Sequence, residues 1–343
     1  IDAEEGGVEI ALLEDKRLVE LHQGKTESTH IVGDIYLGQV KKILPGLNAA
    51  FIDVGSKRDG FLHYLDLGLY YNSVNKFTKM CMANSLDDAN FATLKEPKLE
   101  KNGKISDILK QGQLILVQIS KEAISTKGPR LCTEISFAGR YLVLVPFSDK
   151  VSVSQKIKSV EERNRLRKLI KSIKPDNFGI IIRTIAEGKS VADLDNDLKD
   201  LLSKWESLKK KLPKSLPPTK LVSELDKSSV ILREMLTEEF NNVYVNNTEL
   251  HEELKHYINS ICPEKENILH LYKMQTPIFE QFGVAGQIRN SFGKVVTIRS
   301  GIYLIIEQTE AMHVIDVNSG NRTKSSQDQE ENALMVNCEA AVE

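Results

Sequence analysis

Between Gly33 and Leu62 the chain alternates short apolar runs with glycine and proline turns. Ile35-Tyr36-Leu37-Gly38-Gln39-Val40 is followed by the turn Leu44-Pro45-Gly46, then by Ala49-Ala50-Phe51-Ile52-Asp53-Val54 and Gly60-Phe61-Leu62. Short strands with tight turns between them predict a small closed barrel. The pattern resumes at Leu114-Ile115-Leu116-Val117-Gln118-Ile119. Upstream, Val8, Ile10 and Leu12 alternate with other residues, and an Asp15-Lys16 turn leads into Leu18-Val19-Glu20-Leu21. That predicts a strand pair. Residues 67–103 break the rhythm with mixed polar and aromatic positions and a lysine-rich run, and they read as an insertion or long loop.

Downstream the period changes. Ser159-Val160-Glu161-Glu162 reads as a capping box that opens a basic helix to about Ile173. Phe178-Gly179-Ile180-Ile181-Ile182 is a buried-strand run. Ser190 and Asp193 cap a long helix whose apolar positions, from Val191 through Leu194, Leu198, Leu201 and Trp205 to Leu208, fall at near-helical spacing. Residues 211–218, rich in proline, read as a linker. Helices near 222–240 and 249–261 and a strand at 243–245 follow. Three strands close the pattern, over 294–299, 303–307 and 313–317.

Composition narrows the class. At roughly 100–200 residues per domain, 343 residues predict two to four domains. The 41% hydrophobic and 27% charged content is that of a soluble globular protein. No apolar run nears the ~18 residues that cross a bilayer, so no membrane segment is expected. Cys81, Cys132, Cys262 and Cys338 are scattered with no CxxC pair, which argues against a disulfide framework or a zinc knuckle and for a cytoplasmic location. The net charge of −2 does not announce a nucleic-acid partner. Lys150 to Lys174 holds nine basic residues against two acidic ones, which fits a phosphate-facing stripe or a solvated helix face.

The densest candidate chemistry is the hairpin from Tyr303 to Ser319. Two apolar strands flank Gln308-Thr309-Glu310, and the second ends in Asp316-Val317-Asn318. Alternation puts Asp316 and Asn318 on one side of the strand and His313 on the other. A carboxylate beside an amide oxygen suits a hard cation such as Mg²⁺. An aspartate at a strand end is also a common turn residue, and the pattern alone leaves both readings open. Arg183-Thr184, after the buried run, pairs a guanidinium fork with a hydroxyl, which suits a terminal phosphate. So short a motif equally fits surface polar positions. Phe51 and Phe61 are candidate stacking residues of the barrel. Phe51 could equally be barrel core, and Phe61 is the better candidate for exposure.

The stretch from Thr309-Glu310-Ala311-Met312 through Ile315-Asp316-Val317-Asn318-Ser319 resembles the metal-binding segment of the ribonuclease E/G family. The resemblance extends over essentially the whole chain. It implies that Asp316 is a catalytic Mg²⁺ ligand, with Mn²⁺ as the alternative ion, that Asn318 supports the site, and that Glu310 lies near it. It implies that Arg183 and Thr184 hold the 5′-monophosphate of RNA, in a pocket shaped by Gly139 and Val143. The family has an arginine where this chain has Gln155 or Lys156, and Lys156 keeps the charge. Phe51, Phe61 and Lys127, the last in Thr126-Lys127-Gly128, match RNA-contacting positions.

The layout implied is an α+β multidomain protein. An RNase H-like domain is split between 1–30 and 216–276. Inserted into it are an OB-type barrel, 31–128, itself carrying the insertion 68–103, and a 5′-sensor domain, 129–215. An incomplete DNase I-like α/β domain occupies 277–343. The family's second metal-binding aspartate and its zinc-linking cysteine pair fall beyond Glu343, so zinc is expected only through a motif absent here. This chain by itself is expected to cut weakly or not at all. The activity implied is metal-dependent hydrolysis of single-stranded RNA in rRNA and tRNA processing and mRNA decay, by a homo-oligomer, dimer or tetramer. The alternative is a non-catalytic RNA-binding or scaffold protein.

Overall fold

The computed structural model describes the chain except residues 5–6, 26–29, 86–87, 125–126, 225–226, 236–239, 262, 299–300 and 321–328. Thr126 and Cys262 and the last residue of the strand expected over 294–299 thus lie outside the described residues. The fold is mixed α+β in two compact units. One comprises Ile1–Gly24, Asn242–Glu252 and Leu269–Glu343, the other Lys25–Asn241 and Glu253–Ile268.

The first unit opens with β1 (Asp2–Glu4), β2 (Gly7–Glu14) and β3 (Arg17–Lys25), which form one sheet in that order. Asp15 and Lys16 both take positive φ, 48° and 68°, the backbone a two-residue hairpin turn needs.

The second unit begins with a closed five-stranded barrel. Its strands are β4 (Ile35–Leu44), β5 (Ala49–Asp53) and β6 (Gly60–His63), then β7 (Leu114–Lys121) and β8 (Arg130–Cys132). They join in the order β4-β5-β6-β8-β7 and β7 returns to β4, with β6 and β8 parallel. That is the Greek-key closure of an OB-type barrel. Ile52, Leu62, Val117, Ile119 and Leu131 fill it.

Between β6 and β7 lies the segment that reads as an insertion or long loop from its sequence. It carries helices where a bare loop is one alternative, namely α1 (Tyr71–Met82), α2 (Asp88–Thr93) and α3 (Ile105–Ile108). Tyr71, Val74, Phe77 and Cys81 recur at helical spacing and are buried, but the polar residues between them mask the stripe. Tyr71 enters the barrel core and Phe77 enters the neighbouring core, so α1 fastens the two together.

That neighbouring core belongs to a sheet of order β11-β12-β10-β9, built from β9 (Phe137–Ala138), β10 (Leu142–Pro146), β11 (Val151–Val153) and β12 (Phe178–Ile182). Two helices pack on it, α4 (Val160–Ile173) and α5 (Val191–Lys211). Ser190 and Asp193 complete a reciprocal capping box on α5. On α4 only half of the expected box forms. Ser159 accepts from the Glu162 backbone N–H, whereas the Glu162 carboxylate turns to Arg165. Trp205 of α5 is the hub of the core. It stacks on Phe77 at 4.8 Å between centroids and meets Phe91, Phe137, Phe147 and Phe178 at 5.3–6.1 Å. Each such pair adds about 0.5–1.5 kcal/mol beyond simple burial.

The proline-rich stretch after α5 is ordered. Leu212 is fully buried, and β13 (Thr219–Val222) pairs with β4 on the outside of the barrel. Fully buried Asp34 pins that seam, accepting from the Glu224 backbone at 2.8 Å and pairing with Lys220 at 2.6 Å. α6 (Lys227–Met235) follows.

The rest of the chain comprises β14 (Val243–Val245), α7 (Thr248–Ile261), β15 (Leu269–Leu271), α8 (Ile278–Gln281) and α9 (Val284–Ser291). In the first unit Tyr272, Ile278, Phe279 and Val284 form a small core with Ala11, Leu18 and Leu21. A three-stranded antiparallel sheet, β16 (Val295–Thr297), β17 (Tyr303–Gln308) and β18 (His313–Asn318), leads to α10 (Gln329–Val342). No helix among the described residues is long and apolar enough to cross a membrane.

Candidate functional site

Asp316 sits on β18, at the edge of its sheet. The register pairs Ile305 with Asp316 and Tyr303 with Asn318, so Tyr303, Ile305, Asp316 and Asn318 share a face. Asp316 is exposed, and its Oδ2 accepts a hydrogen bond from Asn318 Nδ2 at 3.0 Å. No lysine or arginine pairs with Asp316 among the described residues. Asn318 therefore orients the carboxylate, and among the described residues no donor reaches its own side-chain oxygen. Thr309 ties the turn, its N–H and Oγ both donating to the Met312 carbonyl. Glu310 is exposed at that turn. It lies beyond Gln308–His313, three register pairs from Asp316. At ~3.4 Å per residue that is about 10 Å, so the hairpin does not set Glu310 beside Asp316.

The donor set fits a hard cation in one limited sense. Mg²⁺ accepts one or two carboxylates and keeps waters or phosphate oxygens in its remaining positions. Asp316 offers one such carboxylate. Among the described residues no group of three or more His, Cys, Asp or Glu is gathered to cage a metal.

The predicted phosphate-binding residues converge in the second unit. Arg183 follows β12, its N–H donating to the Tyr141 carbonyl and its Nη1 to the Gly139 carbonyl at 3.0 Å. Thr184 Oγ1 lies 2.9 Å from Ser154 Oγ, which also accepts from the Lys156 backbone. Thr184 and Lys156 are exposed, and Val143 is half-buried, paired with Ala138 and Ile181. A guanidinium, two hydroxyls and a nearby ammonium-bearing residue thus lie along one end of the sheet.

Two residues of this constellation escape sequence reasoning. Ser154 is one, since a lone serine after a short strand carries no signal. The other is Asp197 of α5. Its carboxylate accepts from the backbone N–H groups of Arg140, Tyr141 and Leu142 at 2.8–3.0 Å, and burial pushes its pKa up despite these donors. A readable signal existed, because Asp197 occupies the register three after Leu194 and four before Leu201, on the buried stripe of the helix. Asp197 explains Gly139 as well. A Cβ there would lie 2.6 Å from the Asp197 carboxylate. Glu162 secures the neighbouring loop. It accepts from Arg165 at 2.6 Å and from the Gly188 N–H at 2.9 Å, and the Arg165 contact holds its pKa down to about 2.

On the barrel, Phe51 and Phe61 are cross-strand partners on the outer face, both half-exposed, with rings edge-to-face at 6.1 Å. Phe51 is thus not barrel core, whose place is taken by Ala50 and Ile52. Register extends the row to Lys42 on one side and Arg130 on the other. Two aromatics beside Lys42 form a surface suited to stacking bases and meeting a phosphate, whereas the Arg130 guanidinium is held by the Asp66 carboxylate at 2.9 and 3.1 Å. Lys127 is exposed on a short bridge with Ile124.

The Ribonuclease E/G family profile matches residues 136–343, which include both the Arg183 end of the sheet and the Asp316 hairpin. The chain belongs to the ribonuclease E/G family. It is 35% identical over 311 residues to Ribonuclease G of Haemophilus influenzae, covering 91% of this chain and 60% of that protein. It is 37% identical over 320 residues to Ribonuclease E of Nostoc sp., covering 92% and 42%. Ribonuclease G of Escherichia coli K12 is 34% identical over 311 residues, with coverage of 91% and 60%. This member of the family therefore spans about three-fifths of the length of its ribonuclease G relatives.

Proposed function

We propose that this chain carries the RNA-binding and part of the catalytic apparatus of an endoribonuclease that hydrolyses single-stranded RNA with help from a divalent cation and favours 5′-monophosphorylated ends. The observation that carries the reading is the exposed, Asn318-oriented carboxylate of Asp316 in a family whose named members are ribonucleases. Mg²⁺, or Mn²⁺ in its place, would be held by Asp316. Bound there, the ion supplies positive charge against the scissile phosphate. Asn318 fixes the carboxylate, Phe51 and Phe61 stack bases, and Arg183 and Thr184 with Ser154 receive the terminal phosphate. The remaining layout belongs to this proposal too, namely the RNase H-like and DNase I-like assignments, the domain boundaries, the homo-oligomer and the cytoplasmic setting.

A second reading is RNA binding without cutting, for which the Phe51–Phe61 pair on the barrel would suffice. One assay separates the two. The complete gene product is given matched 5′-monophosphate and 5′-triphosphate RNAs with Mg²⁺. Asp316→Asn should abolish cutting of both, and Arg183→Ala should erase mainly the preference. Normal cutting by Asp316→Asn would overturn the catalytic assignment.

A further inference from the structure

A cleft of about 600 Å³ opens where the C-terminal end of α5 meets β13, and none of the candidate site residues lines it. Lys210, Lys211, Lys214 and Lys220 line it. The one carboxylate in its wall, Glu206, is bonded to Lys209 at 2.9 Å. Two of the lysines are committed within the fold. Lys211 Nζ donates to the Leu221 carbonyl at 3.3 Å, and Lys220 pairs with buried Asp34. Lys210 and Lys214 are exposed and have no acidic partner among the described residues.

A helix C-terminus attracts cations, which accounts for lysines in the last turn of α5. It does not account for Lys214 and Lys220, which lie beyond that helix. Asp34 offsets the charge of Lys220, but Lys210, Lys211 and Lys214 still bring three ammonium groups to one cleft, where they repel each other, in a chain whose net charge is −2. An anion filling the cleft removes that cost. The volume lies within the roughly 300–1,000 Å³ range of ligand sites and is more than one inorganic phosphate fills. No aromatic residue lines it, so it offers no stacking platform and no means of reading bases. Lysines and the hydroxyl of Ser207 suit a sugar–phosphate backbone.

We propose that this cleft is an accessory, sequence-independent site for the RNA backbone, contacted chiefly by Lys210 and Lys214. It rests on the reading of RNA as substrate. It would hold a stretch of strand apart from the end bound at Arg183, lengthening the footprint on long RNAs.

The test measures binding of the complete protein to a long unstructured 5′-hydroxyl RNA, with metal chelated, over a salt series. Losing two phosphate contacts from single-stranded RNA should make the slope of log affinity against log salt shallower by about 1.4, at ~0.7 per contact. Lys210→Ala/Lys214→Ala is therefore expected to show that change. RNA should also protect Lys210 and Lys214 of the parent protein from acetylation, whereas inorganic phosphate at equal ionic strength should not. A slope equal to the parent's overturns the proposal. Equal protection by phosphate alone also overturns it, because the cleft is then a small-anion site. If the parent protein binds no RNA at all, the functional reading itself fails.

Discussion

The two ends of the proposed chemistry are built in opposite ways. Around Arg183 almost every group is held by backbone. Asp197 takes three N–H donors, Gly139 presents its carbonyl to Arg183, and Ser154 and Thr184 share a hydrogen bond. Around Asp316 the strand is an exposed edge, and one side-chain hydrogen bond orients the carboxylate. On the proposed function, the first region would be preorganised for a fixed ligand, a terminal phosphate. The second would be a platform that substrate and ion help complete. Stability and function should therefore be coupled at Arg183 and separable at Asp316.

The largest effect expected from breaking this contrast is on cutting. Asn318→Ala should lower cleavage roughly 10–100-fold, the usual cost of losing a group that orients a metal ligand. Because Asn318 is only half-buried, at the end of an exposed edge strand, stability by urea unfolding should change by no more than about 0.5 kcal/mol. A clear fall in stability would mean the hairpin depends on that bond and is not a separable platform. Gly139→Ala should do the reverse. Its methyl would press on Asp197, at a cost of about 1–3 kcal/mol in urea unfolding. The preference for 5′-monophosphate should weaken while cutting of 5′-hydroxyl RNA persists. Unchanged stability would show that the turn can yield. The smallest effect is on acid tolerance. Glu162 has a folded pKa of about 2 against an ordinary 4.5, so its contribution is present above pH 4.5 and fades as pH falls toward 2. Glu162→Gln should flatten that stretch of the stability profile, seen as thermal midpoints measured across pH. An unaltered profile would remove Glu162 as the latch of the loop.

Much of this was legible from residue patterns, and the reasons differ by element. The barrel strands, the Asp15-Lys16 turn and the Ser190 cap depend on local backbone chemistry, which short windows of sequence carry. Period-two alternation put Asp316 and Asn318 on one face, as the register of β17 and β18 has them. Alternation could not say that Asn318 donates to Asp316, because that depends on side-chain rotamers. α1 stayed hidden because its buried stripe, Tyr71 to Cys81, is diluted by Asn72, Lys76 and Lys79. The partners of Ser154 and Asp197 that matter to this end of the sheet, Thr184 and the backbone of Arg140 to Leu142, lie 30 and 55–57 positions away, so their identity cannot be read from a short window even where the helical register of Asp197 marks it as inward-facing.

The lone Trp205 has a practical consequence. It is the only indole in the chain, almost wholly enclosed, and ringed by phenylalanines from the insertion, the sheet and its flanking turns. Its fluorescence therefore reports one place, the seam where α1 meets α5. A red shift in its emission would signal water entering that seam, with no label attached and no second fluorophore of its kind to confuse the reading.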